Sequence, residues 1–420
     1  MLTALKRGGA YAGSIVLSGL VTLISIPVVL SIAGERAWSG IVVAQSVGSV
    51  LALVAAFGWG VLGPATVAQL GPDERAVYFL GSFSARLLLA ILCAPFAVVA
   101  VVVVSPERTS LLVNCLAAFS MLIPALSASW YFVGASSPKS LLLLDSIPRV
   151  CASVLGLAAL TATRDLVIMV SVQVVGELAI VGLGVLHFRS SWSAAAFSFG
   201  LGSVFNRLKS NSSGVVTSAA AAMYVQVPLV VVSSMQLSGL GGFALADKLE
   251  KFGLRMLGPV AQVAQGIVPS GGSVVELHRR VRLAMKFVLS LGLIAAAGFA
   301  CAVPLAADLV TGGTIEVGFD LSVPIGIAMG CVVVTGVSGV ACLVALGRAR
   351  AVAQSTLLGA LVGLPLALAA GRVVGTTGVA WSVALAEGAV MTWQIVAISR
   401  ELRASRAVGP NKLITTESEA

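Results

Sequence analysis

The feature that most constrains this chain is a series of apolar stretches, each long enough to cross a membrane as a helix and separated by short polar segments. Only 10% of the residues are charged and the mean hydropathy is +1.04, which is incompatible with a soluble surface. The sequence therefore predicts an all-α polytopic membrane protein with about 12 transmembrane helices. The predicted spans cover 11–33, 39–62, 86–104, 110–133, 141–161, 166–187, 214–235, 240–268, 283–307, 320–346, 351–371 and 376–399.

Lysine and arginine residues favour one orientation of these spans. If the N-terminus is cytoplasmic, 18 of the 26 basic residues fall in inner segments, four in outer loops and four inside spans. Positive residues concentrate on the cytoplasmic side of membrane proteins, so we expect both termini in the cytoplasm, beneath a cell inner membrane. The net charge of +9 is then a topology signal that faces anionic lipid, and it does not predict nucleic-acid binding.

Two similar motifs six spans apart indicate an internal duplication. Residues 62–69 read LGPATVAQ and residues 257–265 read LGPVAQVAQ, so the pattern LGPxxVAQ recurs with one inserted residue. Coincidence is the alternative in so Gly- and Ala-rich a chain. Pro64 and Pro259 predict a kink in each equivalent helix. We predict an N-terminal six-helix lobe over 1–190, a cytoplasmic interfacial linker over 191–213, a C-terminal six-helix lobe over 214–400 and a disordered cytoplasmic tail over 401–420.

The predicted eighth span carries five charged residues within 240–268. Lys248, Lys251 and Arg255 follow an i, i+3, i+7 spacing and share one helix face within about 60°. Asp247 and Glu250 flank that face, and Asp247 lies four residues before Lys251. Because ionised groups are costly in hydrocarbon, this face predicts a water-filled cavity that an anion can enter. The alternative is a long helix whose charges reach the lipid headgroups.

Further charged groups fall inside other spans. Arg149 is another candidate cation, but Asp145 precedes it by four residues and the two could simply neutralise each other. Glu177 and Glu387 are isolated acids that could carry a coupling proton or act as neutral hydrogen-bonding groups between helices. No spacing of Cys, His or acidic residues indicates a metal site, and we expect no cofactor.

Three motifs resemble one transporter family. Span two ends in Gly58-Trp59-Gly60-x-x-Gly63-Pro64, span four ends in SWYFVG over 129–134, and span eight begins with GGFALADKL over 241–249. Together they resemble the oligosaccharide and O-antigen flippases, which form the polysaccharide branch of the multidrug/oligosaccharidyl-lipid/polysaccharide (MOP) exporter superfamily. The resemblance implies two six-helix lobes that form a V around a central cavity. It also implies a role in polysaccharide biosynthesis, in which alternating access moves an undecaprenyl-pyrophosphate-linked oligosaccharide from the inner to the outer leaflet.

The intramembrane charges suit such a cargo, because fixed cations can replace part of the water that a pyrophosphate loses. The predicted cargo-binding cations are Arg255, Arg149, Lys251 and Lys248, and the acids that could neutralise them or couple transport to an ion are Asp247, Glu250, Asp145, Glu177 and Glu387. The predicted partners are the anionic lipid-linked oligosaccharide, membrane lipids and other glycan-assembly proteins.

Other functions remain as alternatives. One is a cation-coupled multidrug antiporter of the same superfamily, although the first span contains no acid and the cations of span eight would repel cationic drugs. Another is a polytopic membrane glycosyltransferase or polymerase, although the outer loops are short. The chain has no nucleotide-binding loop and no pairing of nucleophile and base in its sequence, so we expect a transporter and not an enzyme.

Overall fold

A computed structural model describes residues 2–105, 109–189, 201–211, 226–269 and 273–407, and nearly all of them are helical. The helices of the first half are α1 (Leu2–Ala56), α2 (Trp59–Gln69), α3 (Pro72–Val104), α4 (Leu111–Leu122), α5 (Ser129–Gly134), α6 (Pro138–Leu141), α7 (Ile147–Thr163) and α8 (Leu166–Leu186). Those that follow are α9 (Leu201–Ser210), α10 (226–234), α11 (Leu240–Ile267), α12 (Val274–Thr311), α13 (Phe319–Val337), α14 (Ala349–Val374) and α15 (Thr376–Ala407).

The all-α polytopic fold is confirmed. Within the described ranges, nine helices are long and apolar enough to cross a membrane. Helix α1 covers the first two predicted spans, which are separated by a kink at Gly34, where φ is 80°. The charged helix α11 supplies the predicted eighth span, and the seventh is described only over 226–234. The structure therefore agrees with about twelve crossings.

The helices form two lobes that meet at one end of the molecule and separate at the other. One apolar cluster contains residues of both lobes, including Trp38 and Val104 from the first and Phe243 and Val303 from the second. These residues flank the turns near Gly34, Gly239 and Gly312, and we call this the closed end. The other apolar clusters belong to a single lobe each and lie toward the opposite, open end. The lobes therefore enclose a V-shaped space.

The family-like motifs of the first lobe pack directly against each other. Gly63 of α2 lies against the indole ring of Trp130 in α5, so a Cβ at this position would overlap the ring. Gly134 lies equally close to the backbone of Pro64, where an added Cβ would be 2.6 Å from the carbonyl oxygen. The glycines of both motifs are thus explained by close helix packing.

The break in the second span does not occur at its proline. Phe57 and Gly58 both have positive φ, of 44° and 75°, and they separate α1 from α2. Pro64 and Pro259 lie inside α2 and α11. Because glycine accepts a left-handed conformation readily, the break between α1 and α2 forms at Gly58, six residues before the kink predicted at Pro64.

A buried arginine stabilises a second break, in span four. Between α4 and α5 the chain forms a 3₁₀ turn over Ile123–Leu126, which leaves carbonyl groups without α-helical partners. The guanidinium of Arg86 donates to the carbonyl oxygens of Ala125 at 2.8 Å and Ser127 at 3.0 Å. Arg86 is only 1% exposed and also lies over the ring of Trp130. Arg86 is thus enclosed by the protein, and its charge serves the packing of the first lobe.

The segments predicted as linker and tail contain ordered helix. In the linker, α9 buries Val204 among the aromatic residues of the first lobe, and Arg207 donates to the carbonyl oxygen of Gly81. At the other end, α15 continues to Ala407, seven residues beyond the predicted boundary at 400. An ion pair between Arg348 and Glu401 holds this extension against the start of α14. Residues 408–420 lie outside the described ranges.

Candidate functional site

A cavity of about 520 Å³ lies between the two lobes. Its walls come from α1, α4, α7 and α8 of the first lobe and from α10 and α11 of the second. The lining runs along the second half of α1 from Trp38 to Leu53, so the cavity extends from near the closed end toward the open end. This volume is in the usual range for small-ligand pockets.

Helix α11 supplies the ionic wall of this cavity. Lys248, Lys251 and Arg255 all line the space, as their shared helix face predicts. Lys251 Nζ contacts Asp247 Oδ2 at 2.8 Å and Gln226 Oε1 at 2.9 Å, so its charge is neutralised locally. Lys248 Nζ donates instead to Gln45 Oε1 of the other lobe at 3.2 Å. These side chains therefore face the cavity between the lobes.

Arg255 differs from the other cations in the cavity wall. It is exposed to the cavity, about 22 Å along α11 from Leu240 at 1.5 Å per residue. Across the described ranges, no carboxylate forms an ion pair with its guanidinium. A guanidinium in this position can hold a phosphate with two parallel N–H donors.

Arg149 lies on the opposite wall between two carboxylates. Its guanidinium contacts Asp145 at 3.2 Å and forms a short ion pair with Glu177 of α8. Glu177 was predicted to be an isolated acid, and this was wrong, because helix packing places it against Arg149 across 28 residues of sequence. Arg149 and Glu177 line the cavity, whereas Asp145 is 8% exposed behind them. The two acids can satisfy Arg149 without a ligand.

Several predicted residues lie away from the cavity lining. Glu387 is 3% exposed within the second lobe, and its Oε2 has no hydrogen-bond partner in the described part of the chain. Glu250 is half-buried on α11 and close enough to Glu387 to interact with it electrostatically. Pro64 packs in the first lobe, and Pro259 borders a separate apolar groove beside α12. The structure thus places six of the nine predicted charged residues in the cavity lining. A seventh, Asp145, contacts the lining through Arg149.

Uncharged polar residues of the cavity wall were missed from the sequence. Gln45, Gln173 and Gln226 all line it, and two of these glutamines accept hydrogen bonds from lysines. A partial signal existed, because Gln45 and Ser49 are four residues apart on an otherwise apolar helix. The serines of the lining are Ser25, Ser46, Ser49, Ser120 and Ser153.

The charges give the cavity a positive character. Four cations and two acids line it, so the lining has a formal net charge of +2. Within the part of the chain that the structure describes, no group of three or more His, Cys, Asp or Glu side chains could hold a metal ion. The arrangement can stabilise an anion, because its cationic donors are held in fixed positions on one wall.

Comparison with known proteins relates the fold to transporters. No protein-family model matches the chain, and no curated protein matches it by sequence. Among solved structures it is similar to the lipid II flippase MurJ in an inward closed conformation, with a TM-score of 0.70 and 10% identity, over 95% of this chain and 89% of that one.

Two multidrug transporters have the same architecture. An inward-facing multidrug resistance MATE family transporter of the MOP superfamily gives a TM-score of 0.53 at 14% identity, covering 94% of this chain and 96% of that one. A MATE transporter of Vibrio cholerae gives 0.52 at 16% identity, covering 95% and 98%. At these identities the similarity establishes the fold alone, which the chain shares with these transporters.

Proposed function

We propose that this protein is a flippase for an undecaprenyl-pyrophosphate-linked oligosaccharide and moves this lipid from the cytoplasmic to the outer leaflet of the cell inner membrane. The observation that carries the proposal is the positive cavity between the lobes, with Arg255 exposed to it and unpaired among the described residues. A pyrophosphate that enters low-dielectric surroundings needs fixed cations. Arg255 and Lys248 provide them along one helix face, and Lys251 on the same face is engaged by Asp247.

The proposed orientation of the protein in the membrane rests on the distribution of basic residues. Arg279, Arg280 and Arg282 begin α12 at the open end, and Arg348 and Arg350 begin α14 there. In the proposed orientation this end faces the cytoplasm, where positive residues concentrate. Lobes over 1–190 and 214–400 would then alternate between opening inward and outward, with both termini in the cytoplasm.

The character of the cavity favours an anionic cargo over the cationic drugs of a multidrug antiporter. A formal charge of +2 raises the energy of a cation inside the space, and Asp247 and Glu177 are already engaged by Lys251 and Arg149. The similarity to a structure described as a lipid II flippase supports a lipid-linked substrate, because the fold accommodates one.

The test is charge reversal at Arg255 in cells that make the glycan. At wild-type membrane levels, Arg255→Glu should abolish surface glycan while the lipid-linked precursor accumulates on the inside. The matched control is Arg372→Glu, which changes an exposed arginine at the end of α14 outside the cavity lining and should export normally. Normal export by Arg255→Glu would overturn the proposal.

A further inference from the structure

The serines of the cavity share one hydrogen-bonding state. All five belong to the first lobe, and each hydroxyl donates its proton to a carbonyl oxygen three or four residues earlier in its own helix. The bonds run from Ser25 to Thr22 at 2.6 Å, Ser46 to Val42 at 3.2 Å, Ser49 to Gln45 at 2.8 Å, Ser120 to Ala117 at 2.8 Å and Ser153 to Arg149 at 2.9 Å.

These bonds within the helices determine whether the serine hydroxyls can donate or accept a hydrogen bond from a ligand. A carbonyl oxygen can only accept, so the direction of each bond is fixed by chemistry and the hydroxyl must be the donor. With the proton committed, the oxygen retains lone pairs that can accept another hydrogen bond. Beside the ion pair of Arg149 and Glu177, the serines of the first-lobe wall therefore present acceptors.

The α10–α11 wall presents the opposite chemistry. Lys248, Lys251 and Arg255 carry only donors, and the carboxylate of Asp247 on the same wall is engaged by Lys251. Gln45 and Gln226, which sit between the walls, each use their side-chain oxygen to accept from a lysine, so their amide N–H groups remain available. Apart from the charges already engaged in ion pairs, the cavity thus offers cationic donors on the α11 side and hydroxyl acceptors on the first-lobe side.

A ligand that satisfies both sides must join an anion to a group rich in hydroxyl donors. We infer that the serine wall is a sugar subsite, which accepts hydrogen bonds from the hydroxyl or amide donors of the first sugar while α11 holds the pyrophosphate. This inference rests on the proposed function and extends it, because it assigns the two chemical parts of one cargo to opposite walls.

The exposure of the serine side chains decides which of them to test. Ser46 and Ser120 are 5% and 1% exposed, so they form the back of the wall. Ser49 and Ser153 are half-buried and come from different helices, α1 and α7. Serine to alanine at these positions removes the acceptor and leaves a residue with high helix propensity, so the fold should be retained.

The experiment compares two lipids with the purified full chain in detergent micelles. The probes are undecaprenyl pyrophosphate and undecaprenyl-pyrophosphate-N-acetylglucosamine, and the dissociation constant of each is measured. The double variant Ser49→Ala/Ser153→Ala should weaken binding of the sugar-bearing lipid about tenfold, the size expected for two neutral hydrogen bonds, and should leave binding of the bare lipid unchanged. Lys248→Gln should weaken both lipids by similar factors.

The control is Ser290→Ala on α12, where an exposed hydroxyl makes the same type of bond to Lys286 outside the cavity lining. It should bind both lipids as the wild type does. The sugar subsite is refuted if the double variant weakens both lipids equally or changes neither, or if the wild type binds the two lipids equally well. Failure of the wild type to bind either lipid would instead refute the proposed function, and the subsite with it.

Discussion

Replacing Arg149 with methionine should destabilise the fold more than it weakens cargo binding. The guanidinium lies between Asp145 and Glu177, whose side chains are 11% and 10% exposed. Without it, two carboxylates remain close together in the interior of a helical lobe. Breaking a buried pair in this way costs roughly 3–5 kcal/mol, and because Arg149 itself is 29% exposed to the cavity, we expect about 2–4 kcal/mol.

Neutralising both acids should reverse this loss. In the background of Arg149→Met, the changes Asp145→Asn and Glu177→Gln keep the side-chain shapes and remove the charges that need a counterion. We expect the triple variant to recover most of the lost stability, since a polar amide is less costly to bury than an unpaired carboxylate. The assay is the midpoint of thermal or detergent-induced unfolding of the purified protein.

The comparison variant is Arg255→Met, which removes a cavity arginine that has no carboxylate partner among the described residues. It should unfold within about 0.5 kcal/mol of the wild type while losing affinity for undecaprenyl pyrophosphate. The reasoning is refuted if Arg149→Met is as stable as the wild type and loses affinity instead. In that case Arg149 would be a cargo ligand and the two acids would not be its structural partners.

Two predictions concern the first lobe. Arg86→Met should lower stability by about 2–4 kcal/mol, because the carbonyls of Ala125 and Ser127 lose charged donors in a buried position; equal unfolding midpoints for variant and wild type would refute this. Gly63→Ala should lower stability by about 1–3 kcal/mol, because it forces a methyl group against the ring of Trp130. Gly60→Ala in the same helix meets no atom within 4 Å and should leave stability unchanged. Equal effects of the two changes on the unfolding midpoint would contradict the packing argument.

Local features of the sequence predicted the elements of the site. The helix over 240–268 is present as Leu240–Ile267, and its i, i+3, i+7 cations line one cavity because helical periodicity depends only on spacing. The contact between Asp247 and Lys251 is equally local, since residues four apart on a helix are neighbours. Apolar stretches likewise predicted the helical spans, because backbone groups in a membrane must be satisfied within the segment.

Contacts between distant segments could not be predicted in this way. Glu177 reaches Arg149 across 28 residues, and Gln45 reaches Lys248 across 203. Both contacts depend on which helices become neighbours, and a single sequence carries no signal for that. For this reason the sequence predicted Arg149 and Arg255 alike as cargo-binding cations. In the structure, two acids neutralise Arg149, whereas Arg255 is exposed to the cavity.

The difference between these two arginines bears on function. Arg149, Asp145 and Glu177 satisfy one another's charges, so this ion group is compatible with a purely structural role. Arg255 has no such partner among the described residues, and its guanidinium is exposed to the cavity, where a ligand can reach it. Lys248 also lines the cavity, and its ammonium group donates to the neutral amide of Gln45. Two cations on one cavity wall, without a carboxylate partner in the described part of the chain, therefore support the proposal of an anionic cargo.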